Sequence, residues 1–251
     1  MNSYLKLKSL VFIISFIFLV SCTATTKKIE SANQQPLESE IQSVNLAKKI
    51  HKKQIKGVDV SKYQGIVDFA KLQKMGIYYV FIRATEGITY QDADYKRNHA
   101  KAKEARLTVG VYHFYETNDD PHSQFDNFKN LVNLTAGDLA PVIDIEKLHQ
   151  NDDKELVANL KLFLDKLETH YGIKPIVYTG KNFANKYLSD FGDYPLWLAE
   201  YQVTEPQVPN GWQKWTFWQW SQKGTVDGIE GTVDMDRFNG DLHGFEKMLL
   251  K

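Results

Sequence analysis

Leu139-Ala140-Pro141-Val142-Ile143-Asp144-Ile145-Glu146 is a short apolar run that ends in two acids, and residues Asp153 to Tyr171 follow it with helical periodicity. The run reads as a buried strand, because roughly four to eight apolar residues suit a strand and are too few for a helix. The stretch after it reads as an amphipathic helix, since Leu156, Leu160, Phe163, Leu164 and Leu167 line one face. A strand that feeds a helix is one βα unit, and the alternation continues in both directions. Strands are predicted at Ile55–Val60, Tyr78–Ala84, Thr108–Phe114, Leu139–Glu146, Pro175–Thr179, Pro195–Tyr201, Thr216–Ser221 and Thr232–Phe238. Helices are predicted at Asp68–Met75, Asp94–Ala105, Pro121–Leu134, Asp153–Tyr171 and Asn182–Leu188. Five βα units followed by three strands predict a parallel α/β barrel, TIM-like and of (β/α)5(β)3 form, whose last third has lost its helices. The functional site is then expected at the carboxyl ends of the strands. No internal repeat of fixed period occurs, which excludes solenoids and propellers.

At those strand ends the sequence is acidic. Asp59 ends the first strand, Asp144 and Glu146 the fourth, and Asp234 lies on the eighth. Strand side chains alternate, so Asp144 and Glu146 point the same way, with Cα atoms about 6.6 Å apart at roughly 3.3 Å per residue. A single Asp-x-Glu is as well explained by helix capping or solvation. Acids from three separate strands at one barrel mouth are not. Crowded carboxylates cannot all ionise cheaply, so at least one holds a proton near neutral pH. A glycosidic bond needs such a proton on its leaving oxygen.

Composition narrows the remaining options. The chain has 251 residues, with 31 basic and 31 acidic side chains, so it lacks the field that gathers nucleic acid. Its 43% hydrophobic and 25% charged residues fit a globular protein better than disorder or a polytopic membrane protein. One cysteine, Cys22, excludes an intrachain disulfide, a thiolate zinc cluster and an iron–sulfur site. No His-x-x-x-His or His-Glu-x-x-His spacing, calcium-loop order or phosphate-cradling glycine motif occurs, so no metal and no cofactor is expected. His113, alone among aromatics, reads as a hydrogen-bonded structural residue. The protein is expected to act as a monomer.

Lys6 and Lys8 precede an apolar run from Leu10 to Val20, the layout of a secretory signal and shorter than the roughly 20 apolar residues of a membrane span. Leu19-Val20-Ser21-Cys22 resembles a bacterial lipobox, in which cleavage before the cysteine precedes its acylation. Residues 1–21 are thus expected to be a lipoprotein signal peptide, and residues 22–54, polar and poor in large apolar side chains, an acylated flexible linker on a lipid bilayer. Within that linker Ile41–Ile50 has sparse helical spacing. Thr23 follows the cysteine where an aspartate would favour the inner membrane, so the outer membrane is preferred. Residues 55–251 form the expected catalytic domain.

The segment from Lys56 to Gly240 resembles the glycoside hydrolase family 25 lysozymes, the Chalaropsis-type muramidases. The stretches that carry the resemblance are Gly57-Val58-Asp59-Val60-Ser61 with Tyr63-Gln64-Gly65, Phe81 to Gly87, Gly110-Val111-Tyr112-His113-Phe114, Asp144-Ile145-Glu146, Ile176 to Thr179, Trp197 to Tyr201, Trp218-Gln219-Trp220 and Val233-Asp234-Met235-Asp236. The resemblance implies a flattened β/α barrel that hydrolyses the β-1,4 bond between N-acetylmuramic acid and N-acetylglucosamine in peptidoglycan glycan strands. It implies Glu146 as general acid, Asp144 as the carboxylate acting beside it, and Asp59 and Asp234 as the other acids of the pocket. The family typically carries lysine where Arg83 stands. Asp144 is expected to polarise the substrate's acetamido group; inversion through Asp59 or Asp234 is the competing route. A catalytically silent peptidoglycan-binding protein, or a hydrolase of another N-acetylated polysaccharide, are the alternative functions.

Tyr63, Tyr112, Tyr178, Trp197 and Tyr201 are candidate subsite walls, because aromatic faces pack on pyranose rings; core packing explains each equally well. Trp215 and Phe217 alternate with Trp218 and Trp220, so one set alone faces into the barrel.

Overall fold

A computed structural model describes residues 54–149 and 153–251. The predicted signal peptide, Cys22, nearly all of the linker and the Ile41–Ile50 segment lie outside the described residues. Among the described residues no helix is long and apolar enough to cross a membrane.

All eight predicted strands form, as β1 (Lys56–Val60), β2 (Ile77–Glu86), β4 (Thr108–Phe114), β5 (Val142–Asp144), β6 (Ile176–Gly180), β7 (Leu196–Ala199), β8 (Phe217–Gly224) and β9 (Val233–Phe238). A two-residue strand, β3 (Tyr90–Gln91), extends β2 as a hairpin. The sheet runs β1-β9-β8-β7-β6-β5-β4-β2, and a β1–β2 pairing closes it into an eight-stranded barrel. The predicted helices appear as α1 (Phe69–Lys74), α2 (Tyr95–Glu104), α3 (Pro121–Leu131), α4 (Asp153–Tyr171) and α5 (Lys181–Tyr187); a short α6 (Leu242–Glu246) was not anticipated.

The barrel departs from the all-parallel expectation at its last strand. β9 is antiparallel to both β8 and β1. Seven strands run one way because helices or long loops return the chain to the starting end, whereas a hairpin joining β8 to β9 can only reverse direction. The amino-terminal half of β9 therefore lies beside the carboxyl ends of its neighbours, and Asp234 pairs in register with Asp59.

Alternation sorts the side chains into two cores. Val58, Val80, Ile82, Val109, Val111, Ile143, Val177, Leu196, Leu198 and Trp218 face outward and pack under the helices. Leu156, Leu160, Phe163, Leu164 and Leu167 of α4 join them, all almost fully buried. Inside the barrel an aromatic set fills the space: Tyr79, Phe81, Tyr112, Tyr178, Trp197, Phe217 and Phe238. Gly57 and Gly110 make room for it, since a Cβ at either would overlap the ring of Tyr79 or Phe81. Phe245 of α6 plugs the amino end of the barrel, edge-on to Phe238 at 5.2 Å. Helix starts are fixed locally. Asp68 accepts from the Lys71 amide and Asp120 from the Ser123 amide, with Pro121 at the first turn of α3. Caps of this kind are worth about 1 kcal/mol each.

Candidate active site

The carboxyl end of the barrel is where its aromatic filling gives way to polar residues. Asp59, Arg83, Asp144 and Gln219 continue the inward-facing rows of β1, β2, β5 and β8 above Gly57, Phe81, Val142 and Phe217. Asp59 and Asp144 are both buried to 7% exposure, whereas Glu146, just past the end of β5, is exposed. Glu146 borders an open cleft of about 440 Å³ that also includes Gly180, Phe183 and the Lys181–Glu200 ion pair.

The four acids singled out in the sequence converge here. Burial raises the Asp59 pKa well above the usual carboxylate range, and the charges of Asp236, Asp234 and Asp144 push it further, against a hydrogen bond from Gln219. Burial also raises Asp144 strongly, with Glu146 adding to the effect and Arg83 opposing it. Glu146 is raised by desolvation and by Asp234, while Lys147 and a hydrogen bond with Asp144 pull it down. A carboxyl–carboxyl bond needs one shared proton, so Asp144 and Glu146 titrate as a pair that holds one proton between them. The second oxygen of Asp144, Oδ1, is buried without a hydrogen-bond partner among the described residues. A buried acceptor left unpaired is costly, so the site is built to receive a donor there.

Two further residues belong to the cluster and were not singled out from sequence. Gln219 Nε2 donates to Asp59 Oδ2 at 2.8 Å, while Tyr178 donates to Gln219 Oε1 at 2.8 Å and Tyr201 donates to the same oxygen. Asp236 is fully buried beneath Asp59, accepting from the Trp197 indole at 2.8 Å through Oδ1, while Asp59 is the polar side chain nearest its other oxygen among the described residues. The signal for Asp236 was present, because period two puts it on the face of Asp234. Gln219 had a weaker one: it faces inward only if Phe217 does.

The candidate aromatics separate by exposure. Tyr63, on the 3-10 turn after β1, is 76% exposed and lies against the Arg83 guanidinium, 5.2 Å from it. Tyr201 is half-buried at the mouth. Tyr112 and Tyr178 are buried, and Trp197 more so, stacked on Phe81 at 4.1 Å with Tyr178 edge-on at 4.5 Å. Trp197 thus fills the barrel and has no open face. Of the β8 alternation, Phe217 looks inward and Trp218 outward. Arg83 spans Asp92 at 3.2 Å, Glu86 at 3.3 Å and the Tyr90 hydroxyl at 3.4 Å. Lysine has no such fork.

His113 lies on the opposite face of the sheet, stacked on Phe163 at 5.1 Å. Its Nδ1 meets the Thr85 hydroxyl at 2.7 Å and its Nε2 the Gln124 side-chain oxygen at 3.1 Å, which fixes a neutral ring protonated on Nε2. Burial lowers its pKa to about 4. Among the described residues no group of acids, histidines or cysteines is arranged to hold a metal ion.

A buried acid cluster at the mouth of an eight-stranded barrel agrees with what sequence comparison finds. Residues 58–229 match Glycosyl hydrolases family 25. The chain belongs to that family. This family 25 glycoside hydrolase is 37% identical over 186 residues to the autolytic lysozyme of Clostridium acetobutylicum, covering 74% of this chain and 56% of that one. The enzyme is also similar to the crystal structure of a bacterial lysozyme from Streptomyces coelicolor, at a TM-score of 0.75 and 27% identity, over 79% of this chain and 98% of the other. A family 25 glycosyl hydrolase from Bacillus anthracis superposes at a TM-score of 0.71 with 31% identity, over 76% and 92% of the two chains.

Proposed function

We propose that the enzyme is a peptidoglycan muramidase that cleaves the β-1,4 bond between N-acetylmuramic acid and N-acetylglucosamine. Membership of family 25 and likeness to lysozymes support the substrate class. The observation that carries the mechanism is the Asp144–Glu146 pair: one buried carboxyl with an unpartnered oxygen beside one exposed carboxyl at the cleft.

In this reading Asp144 accepts the N–H of the substrate's 2-acetamido group and polarises it. The acetamido oxygen attacks the anomeric carbon as Glu146 protonates the departing glycosidic oxygen. Glu146, now ionised, takes a proton from the incoming water, which opens the cyclic intermediate with net retention. Asp234, paired in register with Asp59 across β1 and β9, raises the proton affinity of Glu146.

Digestion of defined peptidoglycan tests the substrate: reducing N-acetylmuramic acid is expected, and reducing N-acetylglucosamine overturns the bond assignment. Proton NMR of the first-formed anomer tests the route, because an α product means inversion through Asp59 or Asp234. Glu146→Gln should lower hydrolysis by about 10² to 10⁴, the usual contribution of a general acid, without changing the melting curve. Cell walls left turbid by the wild type while sugar binding persists would favour a silent binding protein.

The enzyme is further proposed to work as a monomer tethered through acylated Cys22, with the outer membrane preferred. Cys22→Ser is expected to move it from the membrane pellet to the soluble fraction.

A further inference from the structure

Past Ala199 the chain leaves β7 and runs through Tyr201, Gln202 and Val203 beside the outer part of β8. Between the two stretches lies an open groove of about 260 Å³ whose walls include Tyr201, Gln202, Val203, Trp220, Gln222 and Lys223. Its apolar surface stands in water: Trp220 is 42% and Val203 39% exposed, whereas the other four tryptophans are at 8% or less. An indole on the surface forgoes the burial that the other four obtain, and a cluster of exposed apolar side chains beside a functional site marks a contact surface.

The backbone supports the same conclusion. Gln202 has φ of 61°, a left-handed conformation that disfavours any residue but glycine. Strain of this type gathers at ligand clamps. Here it turns the chain just after Tyr201, while the Trp218 indole holds the preceding carbonyl of Glu200 at 2.7 Å.

The groove is continuous with the acid cluster through one side chain. The Tyr201 ring lines it, and the Tyr201 hydroxyl donates to Gln219, the residue that holds Asp59. Beyond Tyr201 the character changes. Among the described residues no acid lines the groove, so it offers a flat indole, side-chain amides and an ammonium to whatever leaves the catalytic cleft. An aromatic face for the C–H face of a ring, with amides for its hydroxyl and acetamido groups, is the chemistry that holds a pyranose.

We propose that this groove is a remote glycan subsite: Trp220 stacks on a sugar ring of the strand away from the scissile bond, and Tyr201 forms the step between that ring and the reacting one. The proposal rests on the reading of the enzyme as a glycan hydrolase.

The test uses the full chain carrying Glu146→Gln, so that ligand survives, and peptide-free peptidoglycan oligosaccharides of four and eight sugars. The eight-sugar probe is expected to shift tryptophan emission to the blue. Adding Trp220→Ala should raise its Kd by about tenfold, equivalent to about 1.4 kcal/mol, and abolish the spectral shift. Trp220→Tyr should restore the affinity to within about threefold, because a flat ring suffices. Unchanged affinity in Trp220→Ala, or equal loss in Trp220→Ala and Trp220→Tyr, overturns the subsite. If the wild type meanwhile releases reducing ends from cell walls, the muramidase reading stands without it. If the wild type cleaves nothing and the Glu146→Gln protein binds neither oligosaccharide, both fall.

Discussion

Gln219 and Asp59, 160 residues apart along the chain, meet across the barrel mouth in a hydrogen bond of 2.8 Å. Two tyrosines donate to the other end of the same amide, so its orientation is fixed and its N–H must face the carboxylate. The bond opposes the desolvation and like-charge repulsion that drive Asp59 toward its protonated form.

Gln219→Glu keeps the shape but removes the donor and adds an acid beside Asp59. A hydrogen bond to a charged group is worth about 1.5 to 3 kcal/mol, so kcat/KM is expected to fall by about tenfold to a hundredfold. The limb of the pH–rate profile governed by Asp59 should move to higher pH, since its pKa rises further. A profile that keeps its position would show that Gln219 only packs.

Asp236→Asn should stabilise the protein at neutral pH. Burial, with Asp234 adding to it, raises the pKa of Asp236 well above its ordinary value. Its folded form therefore binds a proton that the unfolded chain has released, and stability declines as pH rises from the usual carboxylate range through the folded pKa. Asparagine keeps an oxygen for the Trp197 indole and has no charge to bury. A melting temperature higher by about 2 to 4 °C at pH 7 is expected, corresponding to about 1 kcal/mol, with the gain vanishing near pH 4. A gain that persists at pH 4 would point to packing rather than charge.

His113 has the opposite sign. Its folded pKa is lowered from 6.5 to about 4, so its contribution is intact above 6.5 and lost as pH falls toward 4. The full difference is about 3 kcal/mol. His113→Gln should lower the melting temperature at pH 7 yet flatten its decline between those two values. Denaturation followed across that window, in wild type and variant, is the check; parallel slopes would remove His113 as the cause.

Arg83→Lys keeps the charge but not the fork that joins Asp92, Glu86 and Tyr90. The Asp92 side chain is fully buried, and a single ammonium cannot reach all three partners. A loss of about 1 to 2 kcal/mol in stability is expected by urea denaturation, with hydrolysis retained. Abolished hydrolysis in a folded variant would place Arg83 on the substrate.

Local patterns carried much of this protein into view. Alternation along a strand is a property of the backbone, so Val142 and Asp144 had to share a direction; Glu146 lies one step past the strand end, and its place beside Asp144 is set by the chain beyond β5. The helical face of Leu156, Leu160, Phe163, Leu164 and Leu167 is equally local, and the structure buries all five. Asp236 was legible by the same rule applied to Asp234. Trp197 was not: an aromatic suits a barrel interior and a sugar subsite alike, and stacking on Phe81 decides for the interior.

What the sequence alone determined was the eight main strands, the five main helices and most of the side chains that share a face, because those depend on neighbours a few residues away; Trp215, before β8 begins, joins Trp218 in the outer core instead of Phe217 in the inner one. Only closure of the barrel decided which face looks inward, that β9 runs backward, and that Gln219 reaches Asp59. These are contacts between distant segments, and a polypeptide encodes them through the packing of the whole sheet rather than through any one stretch.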